Sequence, residues 1–320
     1  MAPTADSPSP LPDTVELARL LRGGVVESVH RGSGVVLAPD GDVVAEYGDT
    51  TAPMLPRSTL KFAQAVAVAR SGLVLQGAQA VLSAASHTGT SRHVEVVRAM
   101  LADGGLDESQ LGCPPDWPAD SEARRGASGP LRVTMNCSGK HAAFLRASAL
   151  NGWDLDGYLD PGHPLQQLIL QTVEELAGEP VSATTVDGCG APLFALGLRG
   201  LARTVAAVGA GRASGSAHLA PAIKGDSWGL DRPAVARVID ELGVIAKNGA
   251  EGVFVAATAD GAAVAVKVAD GSSRAALPAG LTALARAGFV DAAVTERLVR
   301  DLSEKVLGAG VPVGELRVTL

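Results

Sequence analysis

A serine and a lysine three residues apart, Ser58 and Lys61, are the first residues of this chain whose types and spacing could do chemistry. They stand between Pro56 and an alanine-rich apolar run, so Ser58 is predicted to lie at the start of a helix. Residues three apart share one face of a helix, which predicts that the Lys61 amine reaches the Ser58 hydroxyl. A neutral lysine in this position can act as the base for a serine nucleophile. The alternative is a capping serine beside an exposed lysine.

A second lysine, Lys247, begins the sequence Lys-Asn-Gly at the head of a predicted C-terminal hairpin. Serine acyl-enzymes of the β-lactamase and penicillin-binding type combine Ser-x-x-Lys with Lys-Thr/Ser-Gly on an inner strand. Ser86, in Ser-His-Thr-Gly, could place a second hydroxyl in the same cleft, although these residues also suit a turn. Lys267 projects from an apolar strand, where a buried lysine is costly unless it is neutral or paired. The alternative for Lys267 is an edge-strand residue that blocks aggregation.

Two of the three cysteines, Cys137 and Cys189, could converge on a metal ion. Cys137 and Lys140 are spaced Cys-x-x-Lys at a predicted helix start, and Cys189 lies in a glycine-rich turn that begins at Asp187. Two thiolates suit zinc. Buried free thiols are the alternative, since lysine must lose its proton to bind a metal. His141 is either a group that hydrogen-bonds substrate or a buried histidine with partners of its own.

The composition limits the class of protein. Of 320 residues, 47% are hydrophobic and 19% charged, which predicts a globular chain with a large core. A net charge of −7 and an aromatic content of 3% disfavour nucleic acid and anionic membranes as partners. No apolar run approaches about 18 residues, so no membrane span is predicted. An odd, small number of cysteines without a secretory signal indicates a cytoplasmic protein.

Hairpins near the two ends of the chain, with helices between them, would position these residues. Alternating apolar residues and turn signals predict strands at 25–37, 42–47, 253–258 and 262–268. Helical periodicity predicts helices that include 91–102, 137–150, 163–177 and 233–242. This order predicts an α+β fold, in which one antiparallel sheet is flanked by helices. Residues 1–20 are predicted to be a disordered lead, and 21–320 a single domain whose helical part covers roughly 60–245.

Six motifs, in order, resemble the Rhizobium etli-type L-asparaginases, a family also called asparaginase II or class 3. The motifs are Glu27-Ser28-Val29-His30-Arg31-Gly32, Arg57-Ser58-x-x-Lys61, Ser86-His87-x-Gly89, Met135-Asn136-Cys137-Ser138-Gly139-Lys140-His141, Val186-Asp187-Gly188-Cys189-Gly190-Ala191-Pro192 and Lys247-x-Gly249-Ala250-Glu251-Gly252. They cover nearly the whole chain from about residue 25. One position departs from the pattern: Thr90 stands where the family usually has an acidic residue.

The resemblance implies hydrolysis of L-asparagine to L-aspartate and ammonia by a homodimer whose fold is similar to serine β-lactamases and glutaminases. It implies two Ser-Lys pairs, Ser58 with Lys61 and Ser86 with Lys267. It also implies zinc, which would help to position substrate, at Cys137, Lys140 and Cys189. The further residues expected to contact substrate are Arg57, His87, His141 and Asp187.

Two other functions remain open at this stage. A glutaminase or another amidase could use the same groups, because one methylene in a pocket changes discrimination by only about 1–3 kcal/mol. A catalytically silent zinc-binding or sensor protein on this scaffold would bind ligand without releasing ammonia. The hypothesis favoured by the sequence is that Ser58 attacks the amide carbon with Lys61 as its base, although the choice between Ser58 and Ser86 as nucleophile stays open.

Overall fold

The computed structural model describes residues 12–230 and 232–320. Ten strands lie in these residues: β1 (Val15–Arg22), β2 (Val25–Leu37), β3 (Val43–Tyr47), β4 (Ala183–Val186), β5 (Pro192–Ala195), β6 (Ile245–Gly249), β7 (Val253–Ala257), β8 (Ala263–Val268), β9 (Val306–Gly308) and β10 (Val311–Val318). Eight of them form one antiparallel sheet in the order β6-β7-β8-β2-β1-β10-β9, with β3 paired to β2. Strands β4 and β5 form a separate antiparallel ribbon.

Eleven α-helices lie in the described residues, most of them between β3 and β6. They are α1 (Lys61–Arg70), α2 (Gly77–Ser83), α3 (Ser91–Ala102), α4 (Ser121–Gly126), α5 (Ser138–Leu150), α6 (Pro164–Ala177), α7 (Leu198–Gly209), α8 (Leu219–Gly225), α9 (Pro233–Leu242), α10 (Ser273–Arg286) and α11 (Ala292–Leu302). A short 3-10 turn, Arg57–Leu60, leads directly into α1. Every residue of α1 except the last is buried, because the helix packs against α5, α6 and α7 on several sides.

The strand β2 joins the two ends of the chain into one sheet. It has 13 residues, so it can pair with β8 along one edge and with both β1 and β3 along the other. Strand β1 then pairs with β10, near the C-terminus. The sheet predicted from separate N-terminal and C-terminal hairpins is therefore confirmed.

The two faces of the sheet carry different helices. Gly209 at the end of α7 packs so closely on Ala257 that a Cβ at this glycine would lie 2.8 Å from the alanine methyl. On the other face, Gly280 of α10 packs on Phe254 with a corresponding distance of 2.5 Å. Because side chains alternate along a strand, residues three apart in β7 point to opposite faces. The face on which Ala257 lies is the one that faces the helical region.

The predicted α+β class is confirmed, but several strands, among them β1, β5 and β9, were not predicted. Strand β1 begins at Val15, so residues 15–20 belong to the sheet and not to the predicted lead. Its sequence is rich in leucine, glutamate and arginine, which favour a helix, and pairing with β2 and β10 overrides that preference. Residues 1–11 of the predicted lead lie outside the described residues. Among the helices of the described part, none has both the length and the hydropathy needed to cross a bilayer.

Candidate active site

Lys61 is buried at the first position of α1, with only 1% of its surface exposed. Its Nζ donates to the carbonyl oxygen of Ala85 at 2.5 Å and lies 3.0 Å from the Ser86 Oγ. The predicted partner, Ser58, is not in this contact, and its hydroxyl makes no hydrogen bond within the described residues. The spacing therefore places Ser58 and Lys61 on one short helical segment, while the lysine side chain reaches the second serine.

Ser86 lies between two lysines from opposite ends of the chain. Lys247 on β6 is fully buried, and its Nζ lies 3.2 Å from the Ser86 Oγ. The backbone N–H of Ser86 donates to Leu230 O at 2.8 Å, which fixes the loop after α2. One hydroxyl has one proton, so it can donate to one amine while it accepts from the other. The structure thus forms a Lys61–Ser86–Lys247 triad.

Lys267 does not lie where the resemblance implied. Its Nζ donates to the backbone oxygen of Glu251, and Lys247 occupies the expected place beside Ser86. The pairing predicted between Ser86 and Lys267 is therefore corrected to Ser86 and Lys247. Lys247 was singled out from its Lys-x-Gly pattern in the sequence, but the resemblance implied Lys267 as the partner of Ser86.

His87 is buried next to Ser86, and both of its ring nitrogens bond to protein groups. Its Nδ1 accepts from the Gly89 N–H at 3.1 Å, so its Nε2 carries the proton and donates to Ser138 Oγ at 2.8 Å. Ser138 in turn donates to Val133 O at 2.8 Å. The backbone N–H of His87 also donates to Asn136 O. His87 thus fastens the Ser86 loop to the start of α5 and has no free nitrogen for the predicted substrate contact.

We expect His87 to make the protein less stable as the pH falls. Burial, reinforced by His93 and the nearby lysines, holds the pKa of His87 well below its usual value of 6.5. Below pH 6.5 the unfolded chain therefore binds a proton that the folded chain does not bind. The free energy of unfolding should fall by about 1.4 kcal/mol per pH unit for this group. Urea unfolding between pH 7.5 and 5.5 should show stability falling more steeply in the wild type than in His87→Gln, with the difference developing below pH 6.5. Equal slopes would contradict the assignment.

Cys137, Lys140 and Cys189 converge as predicted, at the start of α5 and in the loop after β4. Lys140 Nζ lies 3.0 Å from Cys189 Sγ, and all three side chains are buried. The hydrogen bond from Cys137, together with the Lys140 charge, lowers the pKa of Cys189, whereas the same hydrogen bond and burial raise that of Cys137. Burial pulls the pKa of Lys140 down, but the two sulfurs outweigh it and raise the pKa. These directions favour a thiolate on Cys189 beside a protonated Lys140.

His141 completes this cluster. Its Nδ1 bonds to the Tyr158 hydroxyl at 2.6 Å, and burial lowers its pKa to about 4. Its Nε2 is buried beside Cys189, and the interaction of the two side chains lowers the pKa of Cys189. Two sulfurs suit zinc, and Lys140 would supply a further donor only after it loses its proton. No group of three His, Cys, Asp or Glu side chains in residues 12–230 and 232–320 could hold a metal, so such a site depends on Lys140.

Arg57 connects the Ser58 turn to the cysteine loop. Its Nε donates to Asp187 Oδ1 at 2.9 Å, and the same oxygen accepts from the N–H of Gly188. Arg57 has a φ of 51°, in the left-handed region that costs a non-glycine residue about 1–2 kcal/mol. Strain of this kind is concentrated at functional sites. Here it falls on the residue that immediately precedes Ser58.

Most of the predicted site residues lie close together, but two predicted pairings differ. Lys61 contacts Ser86 instead of Ser58. Ser86 contacts Lys247 instead of Lys267. Lys61 and Ser86 are together, as are Arg57 with Asp187 and the cysteines with Lys140 and His141. Ser138 and Tyr158, which position His87 and His141, were not singled out from the sequence, although Ser138 lies inside a quoted motif. A cavity of about 750 Å³ lies between α10, α11 and β10, and none of these site residues lines it.

Three kinds of comparison were made with known proteins. A family model described as L-asparaginase II matches residues 18–318. Among solved structures, a β-lactamase from Mycobacterium bovis is 17% identical with a TM-score of 0.47, covering 80% of this chain and 94% of that one. A Bacillus glutaminase is 13% identical with a TM-score of 0.36, covering 81% and 92%. No curated protein gave a significant match.

Proposed function

The chain belongs to the L-asparaginase II family, and on that premise we propose that it hydrolyses L-asparagine to L-aspartate and ammonia. Membership makes it an amidohydrolase. A Ser-Lys mechanism is supported by the contacts of the Ser86 hydroxyl. Its oxygen lies 3.0 Å from the amine of Lys61 and 3.2 Å from the amine of Lys247. Such a triad can accept a proton at one amine and return it from the other.

We assign the attack to Ser58 and the proton transfers to the triad. Ser58 is partly exposed, its hydroxyl has no partner in the described residues, and the strained Arg57 precedes it. An attacking oxygen must be open to substrate, whereas the Ser86 oxygen is engaged by two amines. Ser58 Oγ would bond to the side-chain amide carbon as its proton passes to a neutral amine of the triad.

The remaining steps follow from the same groups. The protonated amine returns the proton to the leaving nitrogen, the C–N bond breaks, and ammonia departs from an aspartyl ester on Ser58. Water then gives a proton to the triad and attacks the ester carbon, which releases L-aspartate and restores the Ser58 hydroxyl. Backbone N–H groups at the start of the helical turn are the proposed donors to the developing oxyanion.

The test is ammonia release from L-asparagine and L-glutamine, side by side, with and without a chelator. We expect rapid release from asparagine and a kcat/KM for glutamine at least about 10-fold lower, the scale of one methylene in a pocket. A higher kcat/KM for glutamine would make the protein a glutaminase. Binding of both amides without ammonia release would indicate a silent ligand-binding protein.

The proposal includes a zinc ion held by Cys137, Lys140 and Cys189, and the convergence of these three buried side chains supports it. When bound, zinc would supply a positive charge that orients the substrate. Ligand formation requires Lys140 to lose its proton, so zinc binding should release protons and weaken as the pH falls. The sulfurs and Lys140 are buried, which limits competition from water for these positions.

Cys189→Ser is expected to remove zinc and raise KM for asparagine about 10-fold, with kcat changed less than about 3-fold. The reason is that a charge that only orients substrate acts on binding and not on the chemical step. Zinc content by mass spectrometry and steady-state ammonia release measure the two effects. Cys113→Ser is the matched control, because Cys113 is also buried but is not among these ligands; it should keep its zinc. A collapse of kcat at saturating asparagine would place the metal in the chemistry.

The class 3 subtype, the homodimer and the cytoplasmic location are part of the proposal. Support for the subtype comes from the Cys-x-x-Lys-His and Asp-Gly-Cys-Gly motifs, which the fold brings together at one cluster. A monomeric mass in light scattering at micromolar concentration would contradict the homodimer.

A further inference from the structure

A cavity of about 360 Å³ lies beside the Ser58 turn. Its charged lining residues are Arg57, Glu251 and Lys267, and most of the others are small or apolar. We call it the Arg57 cavity. Its volume is at the low end of ligand pockets, which run from about 300 to 1,000 Å³, so it suits a molecule the size of an amino acid.

The sheet places Lys267, in the wall of this cavity, on the face that carries Lys247. Lys247 pairs with Val255, and two residues further along β6, Gly249 pairs with Val253, which also pairs with Lys267. Side chains two apart in a strand share a face, and paired residues do too. Lys267 therefore lies on the same face of the sheet as Lys247, one row along and two strands across. Arg57, adjacent to Ser58, lines the cavity from the helical side.

Arg57 and Lys267, the two cationic residues of the cavity, each have N–H groups that make no hydrogen bond within the described residues. Arg57 uses its Nε on Asp187, and within the described residues its terminal nitrogens make no hydrogen bond. Lys267 is half-buried and uses one N–H on the Glu251 backbone oxygen. Burial lowers the pKa of Lys267, so an anionic partner there would be stabilising. A guanidinium and an ammonium with free donors suit a carboxylate.

Glu251 supplies the opposite charge. It has a φ of 60°, so two of the three non-glycine residues with positive φ in the described chain, Arg57 and Glu251, line this one cavity. The Glu251 carboxylate forms no ion pair or hydrogen bond within residues 12–230 and 232–320. Two cationic groups and one carboxylate around a small cavity match the two charged groups of an α-amino acid.

We propose that the Arg57 cavity binds the amino-acid end of the substrate, with Lys267 and Arg57 on the α-carboxylate and Glu251 on the α-ammonium. This inference rests on the proposed function and specifies its substrate: an amide that carries a free α-amino and α-carboxylate group. Lys267 is then a binding residue and takes no part in proton transfer. The amide would extend from the cavity toward Ser58.

Lys267→Met tests the carboxylate contact with three amides. L-Asparagine has both charged groups, succinamic acid lacks the amino group, and β-alaninamide lacks the carboxylate. We expect kcat/KM to fall about 100-fold for asparagine and succinamic acid, mainly through KM, and to stay within about 2-fold of wild type for β-alaninamide. Lys224→Met, an exposed lysine on α8, is the control. An equal loss of kcat on all three amides, or no loss on any, overturns the proposal.

Glu251→Gln should give the opposite pattern, with losses of kcat/KM on asparagine and β-alaninamide and none on succinamic acid.

If the wild type releases no ammonia from any amide, the proposed function fails, and calorimetry with L-aspartate tests the cavity separately. Binding by wild type and Lys224→Met but not by Lys267→Met supports the cavity. Absence of binding by all of them, or equal binding by all, overturns it. Circular dichroism melting checks that each variant is folded.

Discussion

Replacing Ser58 with alanine should abolish ammonia release, with a loss in kcat of about 10⁴-fold or more, the scale seen when a serine nucleophile is removed. The physical reason is that no other oxygen can form the aspartyl ester at that position. The fold should be unaffected, because the Ser58 hydroxyl makes no hydrogen bond within the described residues. Steady-state kinetics and thermal melting measure the two effects.

Ser83→Ala is the matched control for this variant. Ser83 is buried in α2, three residues before Ser86, and donates only to a backbone carbonyl of its own helix. It should retain the wild-type rate. Rapid quenching followed by peptide mass spectrometry should find the aspartyl ester on Ser58. An ester on Ser86, with Ser58→Ala still active, would exchange the roles of the two serines.

Lys247→Met should lower kcat about 10³-fold, within the range for loss of a general base or acid. Its Nζ is one of two amines on the Ser86 hydroxyl, so its removal breaks the path along which the proton returns. We expect the variant to remain folded under assay conditions, so that the loss belongs to the chemical step. Denaturant unfolding and single-turnover ammonia release measure the two quantities.

The double variant Lys61→Met/Lys247→Met tests whether the two lysines act in one proton path. Groups that act as one unit are not additive, so the double variant should be only slightly slower than either single variant. The exposed Lys224→Met should match the wild type. A full rate in Lys247→Met, or losses that multiply in the double variant, would show that Lys247 is not part of the proton path.

Much of this site is local in origin, and that part could be predicted from the sequence. Cys137, Lys140 and His141 are grouped because they open one helix, and Ser58 and Lys61 because they share one short helical segment. The same holds for Asp187 and Cys189, which lie in one tight turn. Helical and turn geometry fixes such groups over a few residues, so residue types and spacing were sufficient to find them.

The choice of lysine for Ser86 was not local. Lys247 and Lys267 both lie on strands, on the same face of the sheet. Lys247 is 161 positions from Ser86 in sequence, and Lys267 is further still. Their spacing in sequence gives no information on which one meets the serine. The answer depends on where the loop after α2 docks, which the hydrogen bond from Ser86 to Leu230 O and the contacts of His87 with α5 determine.

The sequence by itself determined the chemistry available to this protein: hydroxyls, amines and thiols placed at the starts of helices and in turns, where short-range geometry exposes them. Only the tertiary structure decided which of these groups face one another. It places Ser86 in contact with Lys61 and Lys247, and it places Lys267 in the lining of the Arg57 cavity. The physical reason is that backbone geometry constrains neighbours a few residues apart, whereas contacts between distant segments are set by the packing of the sheet against the helices.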